Sequence, residues 1–157
     1  MIHFERSAEL DATPEDVWGE ISRFMHIDEF APQVTSVEAL SDAQSGVGAV
    51  RRCHFENGGS MVEEVLQWEP NSRYRVKGAE LDPMPLTDME AEIALAPIGG
   101  GRTRVTWSAD YAVKYGPIGW IMGQTMMKMM MGKVLDGNLA GLADKLAANK
   151  IAAATAS

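Results

Sequence analysis

Between Val34 and Val113 the sequence is cut by turn signals into pieces too closely spaced to hold helices between them. The turns are Ser45-Gly46, Asn57-Gly58-Gly59, Glu69-Pro70-Asn71-Ser72 and Ile98-Gly99-Gly100-Gly101. They delimit strands at 34–41, 48–56, 60–69, 72–79, 86–97 and 102–113. Parallel pairing needs a crossover of about a dozen residues or more, so these strands must pair antiparallel. Residues 2–11 alternate loosely and add a first strand, which makes seven. Alternation is clearest late in the run. Met89, Ala91, Ile93 and Leu95, with Thr87 at the start, oppose Asp88, Glu90 and Glu92. In the last strand Val105, Trp107, Ala109, Tyr111 and Val113 oppose Arg104, Thr106, Ser108 and Asp110. A sheet apolar on one face needs a cover.

Two regions can supply it. Ala12-Thr13-Pro14-Glu15-Asp16 is a helix start, with Thr13 as cap, Pro14 at the first helical position and acids at the positive dipole end. Val17, Ile21 and Phe24 then follow at helical spacing, and a second short helical turn spans His26 to Phe30, before Pro32. The main cover is a long helix from Pro117 to about Ala148, with Leu135, Leu139, Leu142 and Leu146 as its core stripe. Residues 1–150 read as a single α+β domain and 151–157 as a disordered tail.

Acidic residues outnumber basic ones 22 to 14 for a net charge of -8, which argues against a nucleic-acid partner and against electrostatic docking on an anionic membrane. The single cysteine, Cys53, excludes an intrachain disulfide. The longest charge-free apolar stretch, between Lys114 and Lys128, has 13 residues broken by Gly116, Pro117, Gly119 and Gly123. A spanning helix needs about 20, so no stable membrane insertion is expected. Charges at Glu5 and Arg6 stand where an export signal needs an apolar run, and a cytoplasmic protein is expected.

The order strand, two short helices, six strands, long helix resembles the START-like, helix-grip superfamily (SRPBCC), in its polyketide cyclase/dehydrase-like branch. The segments that carry the resemblance span nearly the whole chain. They are Ala12-Thr13-Pro14-Glu15-Asp16-Val17-Trp18, Gly46-Val47-Gly48-Ala49-Val50-Arg51-Arg52, Val62-Glu63-Glu64-Val65-Leu66, Thr103-Arg104-Val105-Thr106-Trp107-Ser108 and Tyr115-Gly116-Pro117-Ile118-Gly119. The resemblance implies a curved seven-stranded antiparallel sheet gripping the long helix, with an elongated cavity between them. The superfamily includes lipid carriers, plant hormone receptors and aromatase/cyclases, so membership sets the fold and not a reaction.

Several residues could carry chemistry in such a cavity. Met122, Met126, Met127, Met129, Met130 and Met131 are six of the chain's 11 methionines and would give an adaptable apolar wall or simply fill the core. Met129 to Met131 cannot all face inward, and exposed ones would form a patch suited to a homodimer or a lipid surface. The Asn57-Gly58-Gly59 turn ties two strands in parity: if Arg51, Cys53 and Phe55 face inward, so do Met61, Glu63, Val65 and Gln67. Periodicity leaves the choice of face open. The resemblance implies Glu63 inward, because related hormone receptors hold a pocket glutamate at the matching strand position. Inward, Arg51 and Glu63 would have to pair; outward, they form a solvated cross-strand pair. Extending the leucine stripe backwards aims Gln124 and Lys128 at the cavity, unless Gly132 or Gly137 bends the helix and leaves both in solvent. His3, His26 and His54 lack metal-ligand spacing, and Gly99-Gly100-Gly101 opens no helix, so no metal or cofactor is expected. Cys53 reads as a small core residue. Loops 56–60 and 79–85 could gate the cavity or merely connect strands.

These features support binding of a hydrophobic or aromatic small molecule, lipid- or polyketide-like, between sheet and helix. Phe55, Val65, Met89, Ile93, Trp107, Ala109, Tyr111, Met122 and Met126 would line the site, with Arg51 and Glu63 as its polar anchor. The alternative is a polyketide cyclase or dehydratase in which Glu63 and Arg51 assist aldol cyclisation or dehydration. A third reading is an interaction module that docks through an exposed Met/Trp surface.

Overall fold

The computed structural model describes residues 1–81 and 84–156. Its strands are β1 (Ile2–Leu10), β2 (Val34–Ala39), β3 (Val50–Phe55), β4 (Ser60–Glu69), β5 (Arg73–Ala79), β6 (Leu86–Gly99) and β7 (Arg102–Val113). They form one antiparallel sheet in the order β1-β7-β6-β5-β4-β3-β2. Hairpins join β2 through β7 in sequence, as the turn spacing predicts, and β1 pairs with the free edge of β7.

Helix α1 (Pro14–Ile21) begins as its sequence dictates: the Asp16 amide donates to Thr13 Oγ1 at 3.1 Å. A 3₁₀ segment follows at Phe24–Glu29, two residues ahead of the expected turn. The C-terminal cover is one continuous helical run of 41 residues. It consists of α2 (Gly116–Met122), a π turn (Gly123–Met127) and α3 (Lys128–Ala156). Leu135, Leu139, Leu142 and Leu146 are all buried, so the leucine stripe is the helix's grip on the sheet. The helix comes in very close at Gly141, where a Cβ would stand 1.9 Å from the Phe30 carbonyl oxygen. The expected disordered tail is corrected: residues 151–156 are helical and exposed. The run Ala147-Ala148 and Ala152-Ala153-Ala154 explains this, because alanine has the strongest intrinsic helix preference. Ser157 lies outside the described residues.

Two of the sheet's four register shifts alter the inward alternation that a simple period of two predicts. One falls between Val65 and Gln67 in β4, and beyond it the inward face changes: Gln67, expected inside, is exposed, and Trp68 packs against the core. The other falls between Leu86 and Asp88 in β6, so Leu86 is buried and Thr87 exposed. An extra residue in one strand turns every side chain beyond it to the other face. On the sheet's outer face two acids of β6 are paired: Arg75 bridges Glu90 at 3.3 Å and Asp110 of β7 at 2.7 Å, and Arg73 reaches Glu92 at 3.6 Å.

The interior has a filled end and a hollow end. At the filled end Trp18, Phe24, Trp68 and Tyr74 pack mostly edge to face, with ring centroids 5.0 to 6.5 Å apart. Leu139, Leu142 and Leu146 of α3 belong to the same buried core.

Candidate functional site

At the hollow end the sheet and the first half of the C-terminal helix enclose a cavity of about 430 Å³. This lies within the range of small-molecule sites, about 300–1,000 Å³. The sheet supplies Met61, Met89, Ala91, Trp107 and Ala109, and the helix supplies Met127, Met131, Val134 and Leu135. Ile27 and Val34 close one side. Glu56, Asn57 and Met130 line the cavity and are exposed, which marks where it meets solvent. From the two suggested gating loops, Glu56, Asn57 and Met84 reach the cavity; Asp82 and Pro83 lie outside the described residues.

A buried ion pair stands between cavity and filled end. The β3–β4 register sets Arg51 opposite Glu63, and both face inward. Arg51 Nε and Nη2 both donate to Glu63 Oε1, at 2.9 and 2.7 Å, and Nη1 donates to the Phe24 carbonyl at 2.6 Å. The guanidinium also lies over the Phe24 ring, 3.9 Å from its centroid. Every Arg51 nitrogen is therefore engaged. The Cys53 thiol donates to the same Glu63 Oε1 at 3.5 Å. Glu63 Oε2 accepts from no described residue, and Glu63 lines the cavity, so this oxygen is the pair's free polar atom.

Burial sets the electrostatics around the pair. It works against the Arg51 charge, but Glu63, with lesser contributions from Tyr74 and Cys53, outweighs it and the guanidinium pKa is raised. Burial, reinforced by Glu63 and opposed by Arg51, pushes the Cys53 thiol up to about 12. Burial likewise pushes the Tyr74 phenol up to about 12, with Arg51 opposing. Cys53 thus stays a neutral thiol.

Of the residues expected to line a site, Arg51, Phe55, Glu63, Met89, Trp107 and Ala109 surround the cavity. Five do not. Val65 and Ile93 are buried further along their strands, toward the filled end, with Ile93 level with Tyr74 in the register. Tyr111 is buried too, but its hydroxyl donates to the Gly123 carbonyl at 2.8 Å, at the first residue of the π turn. That turn explains Met122 and Met126. Inserting a residue rotates the helix face, so Met127 is buried at the cavity wall while Met126 is 60% exposed and Met122 lies off the cavity. Gln124 and Lys128 also stay off the cavity lining, and both are half-buried.

Sequence reasoning missed Asn138. It lies on α3, is buried, lines the cavity, and hydrogen-bonds to no described side chain or backbone group. Its signal was present: Leu135, Asn138 and Leu142 stand at i, i+3 and i+7, so an amide interrupts the inward stripe. The opposite side of the helix is apolar as well, with Ile118, Ile121, Met126 and Met129 exposed. Among the described residues no helix is long and apolar enough to cross a membrane.

Known structures share this architecture. The XoxI protein of Bacillus cereus matches with a TM-score of 0.76 at 19% identity, covering 93% of this chain and 96% of that one. A START superfamily protein from Mycobacterium smegmatis matches at 0.74 and 19% identity, covering 92% and 96%. The Zhui aromatase/cyclase from Streptomyces sp. R1128 matches at 0.72 and 17% identity, covering 92% and 93%. At these identities the likeness is one of fold, and it bears out the helix-grip architecture. No curated protein matches the chain. The family model described as polyketide cyclase / dehydrase and lipid transport matches residues 1–147, and the chain belongs to that family.

Proposed function

We propose that this protein binds an apolar small molecule in the cavity between the sheet and the methionine-rich half of the C-terminal helix. The observation that carries the reading is a hollow of about 430 Å³ with apolar walls and one buried ion pair at its inner end. A guest that buries roughly 300 Å² of apolar surface gains about 7 kcal/mol before the cost of immobilising it. The methionines Met127, Met130 and Met131 adapt the wall to the guest's shape. Glu63 Oε2 fixes its orientation.

Titration with the solvatochromic dye Nile red tests this, alongside native mass spectrometry of protein purified from its host. Saturable 1:1 dye binding is expected, and Ala109→Phe, which fills the cavity, should abolish it without loss of fold. Absence of saturable binding in the parent protein, together with no co-purifying molecule, sinks the reading.

A cyclase or dehydratase reading draws on the same unengaged Glu63 oxygen as a general base. Arg51 is 2% exposed, with each of its nitrogens turned onto Glu63 Oε1 or the Phe24 carbonyl, so it is poorly placed to act beside it, which is why binding ranks first. Glu63→Gln separates the two: it should abolish turnover of a poly-β-keto substrate if catalysis occurs, and unchanged turnover removes Glu63 from the reaction.

A further inference from the structure

The geometry points to a neutral, hydroxyl-bearing hydrophobe as the guest, held by a hydrogen bond to Glu63 at the sheet and a second polar contact to Asn138 at the helix. This rests on the binding function proposed above and specifies its ligand class. Among the described residues Arg51 is the only cationic one lining the cavity; it is 2% exposed, and each of its nitrogens is turned onto Glu63 Oε1 or the Phe24 carbonyl. What the pair presents to a guest is therefore Glu63 Oε2, an acceptor. A hydroxyl can donate to it. A carboxylate cannot, and would bring a second negative charge beside it in an apolar enclosure, with exposed Glu56 adding a third at the mouth.

At the helix stands the amide of Asn138. The residue is only 7% exposed, lines the cavity, and makes no hydrogen bond to a described residue, so its polar atoms are left accessible to the cavity. A leucine there would continue the stripe formed by Leu135 and Leu142. The amide can both donate and accept, so it suits a second hydroxyl or a carbonyl. Glu63 and Asn138 stand on opposite walls, which selects an apolar body with polar groups toward both.

The test is displacement of Nile red by three compounds with one chain length: 1-decanol, 1,10-decanediol and decanoate. The flexible chain lets the diol adapt to the span between the walls. The parent protein should bind decanol about tenfold or more tightly than decanoate, and the diol more tightly still than its chain alone warrants. Asn138→Leu should erase the diol's advantage over decanol. Glu63→Gln, whose amide can donate, should bring the decanol and decanoate affinities together. If Glu63→Gln does not fold, the parent ratio and Asn138→Leu still decide. Decanoate binding as well as decanol to the parent protein overturns the inference, and an unchanged diol advantage in Asn138→Leu overturns its helix half. Both results leave the binding function standing. Failure of Nile red itself to bind removes that function, and this inference with it.

Discussion

The two ends of the interior are built under one helix and against one sheet, yet one is solid and the other hollow. At the solid end Leu139, Leu142 and Leu146 of α3 and the cluster of Trp18, Phe24, Trp68 and Tyr74 occupy the space. At the hollow end the helix offers methionines, and the sheet offers Ala91 and Ala109 where it could have offered larger side chains. The π turn at Gly123–Met127 belongs to the hollow half and sets which methionine faces in. Stability is thus concentrated at one end, and the other is left free to hold a guest. Arg51 and Glu63 mark the boundary.

The largest effect should come from breaking that boundary. Arg51→Leu leaves the Glu63 carboxylate buried without its partner and should cost about 3–5 kcal/mol in urea unfolding. Adding Glu63→Leu should recover most of it, because the pair is then replaced by apolar groups. A single-variant loss under about 1 kcal/mol means that solvent reaches Glu63 and that the boundary does not separate the two ends.

Next come paired truncations on the helix. Leu142, fully buried at the solid end, should lose about 2–5 kcal/mol on replacement by alanine. Met127→Ala merely enlarges a space that already exists and should cost about 1 kcal/mol. Equal losses would erase the distinction. Guest affinity should sort the other way, falling in Met127→Ala and holding in Leu142→Ala.

These contrasts also show what was legible in the sequence. Turn spacing gave the antiparallel sheet, and the leucine stripe gave the grip. Strand parity through the Asn57-Gly58-Gly59 turn limited Arg51 and Glu63 to a shared face, and the family resemblance chose the inner one. Three features broke the extrapolations, and each is a one-residue change of register. The β4 bulge exposed Gln67, the β6 bulge exposed Thr87, and the π turn exchanged Met126 for Met127. Such insertions depend on tertiary partners, here the Tyr111 hydroxyl on the Gly123 carbonyl, and leave no local mark in a periodic pattern. Where the cavity ends was hidden for a similar reason: Val65 and Ile93 carry the right parity, but the aromatic cluster occupies their end of the interior.

Alkaline pH probes both ends at once. Burial raises Tyr74, at the solid end, from 10.0 to about 12, and Cys53, at the hollow end, from 9.0 to about 12. The folded protein keeps both protons where the unfolded chain releases them. This contribution is whole below about pH 9 and disappears as pH climbs toward 12. The urea midpoint should therefore fall between pH 9 and 11, and by less in Tyr74→Phe. At pH 8 the Cys53 thiol should react with a disulfide reagent on the order of a thousandfold more slowly than in the urea-unfolded chain. Fast labelling of the folded protein would show an open, wet cavity in place of an apolar one.

The smallest effect belongs to the helix's outward side. Met129 is 77% exposed, one residue from Met130 at the cavity mouth. If the methionines serve only as helix formers, Met129 and Met127 should respond alike to substitution. If facing matters, Met129→Gln should change stability by no more than about 0.5 kcal/mol and leave Nile red affinity unaltered. Methionine and glutamine have similar length and helix preference, so the exchange removes apolar character and little else. A loss of affinity in Met129→Gln would extend the binding surface from the cavity onto the outer helix face, and the boundary between hollow interior and solvent would have to be redrawn there.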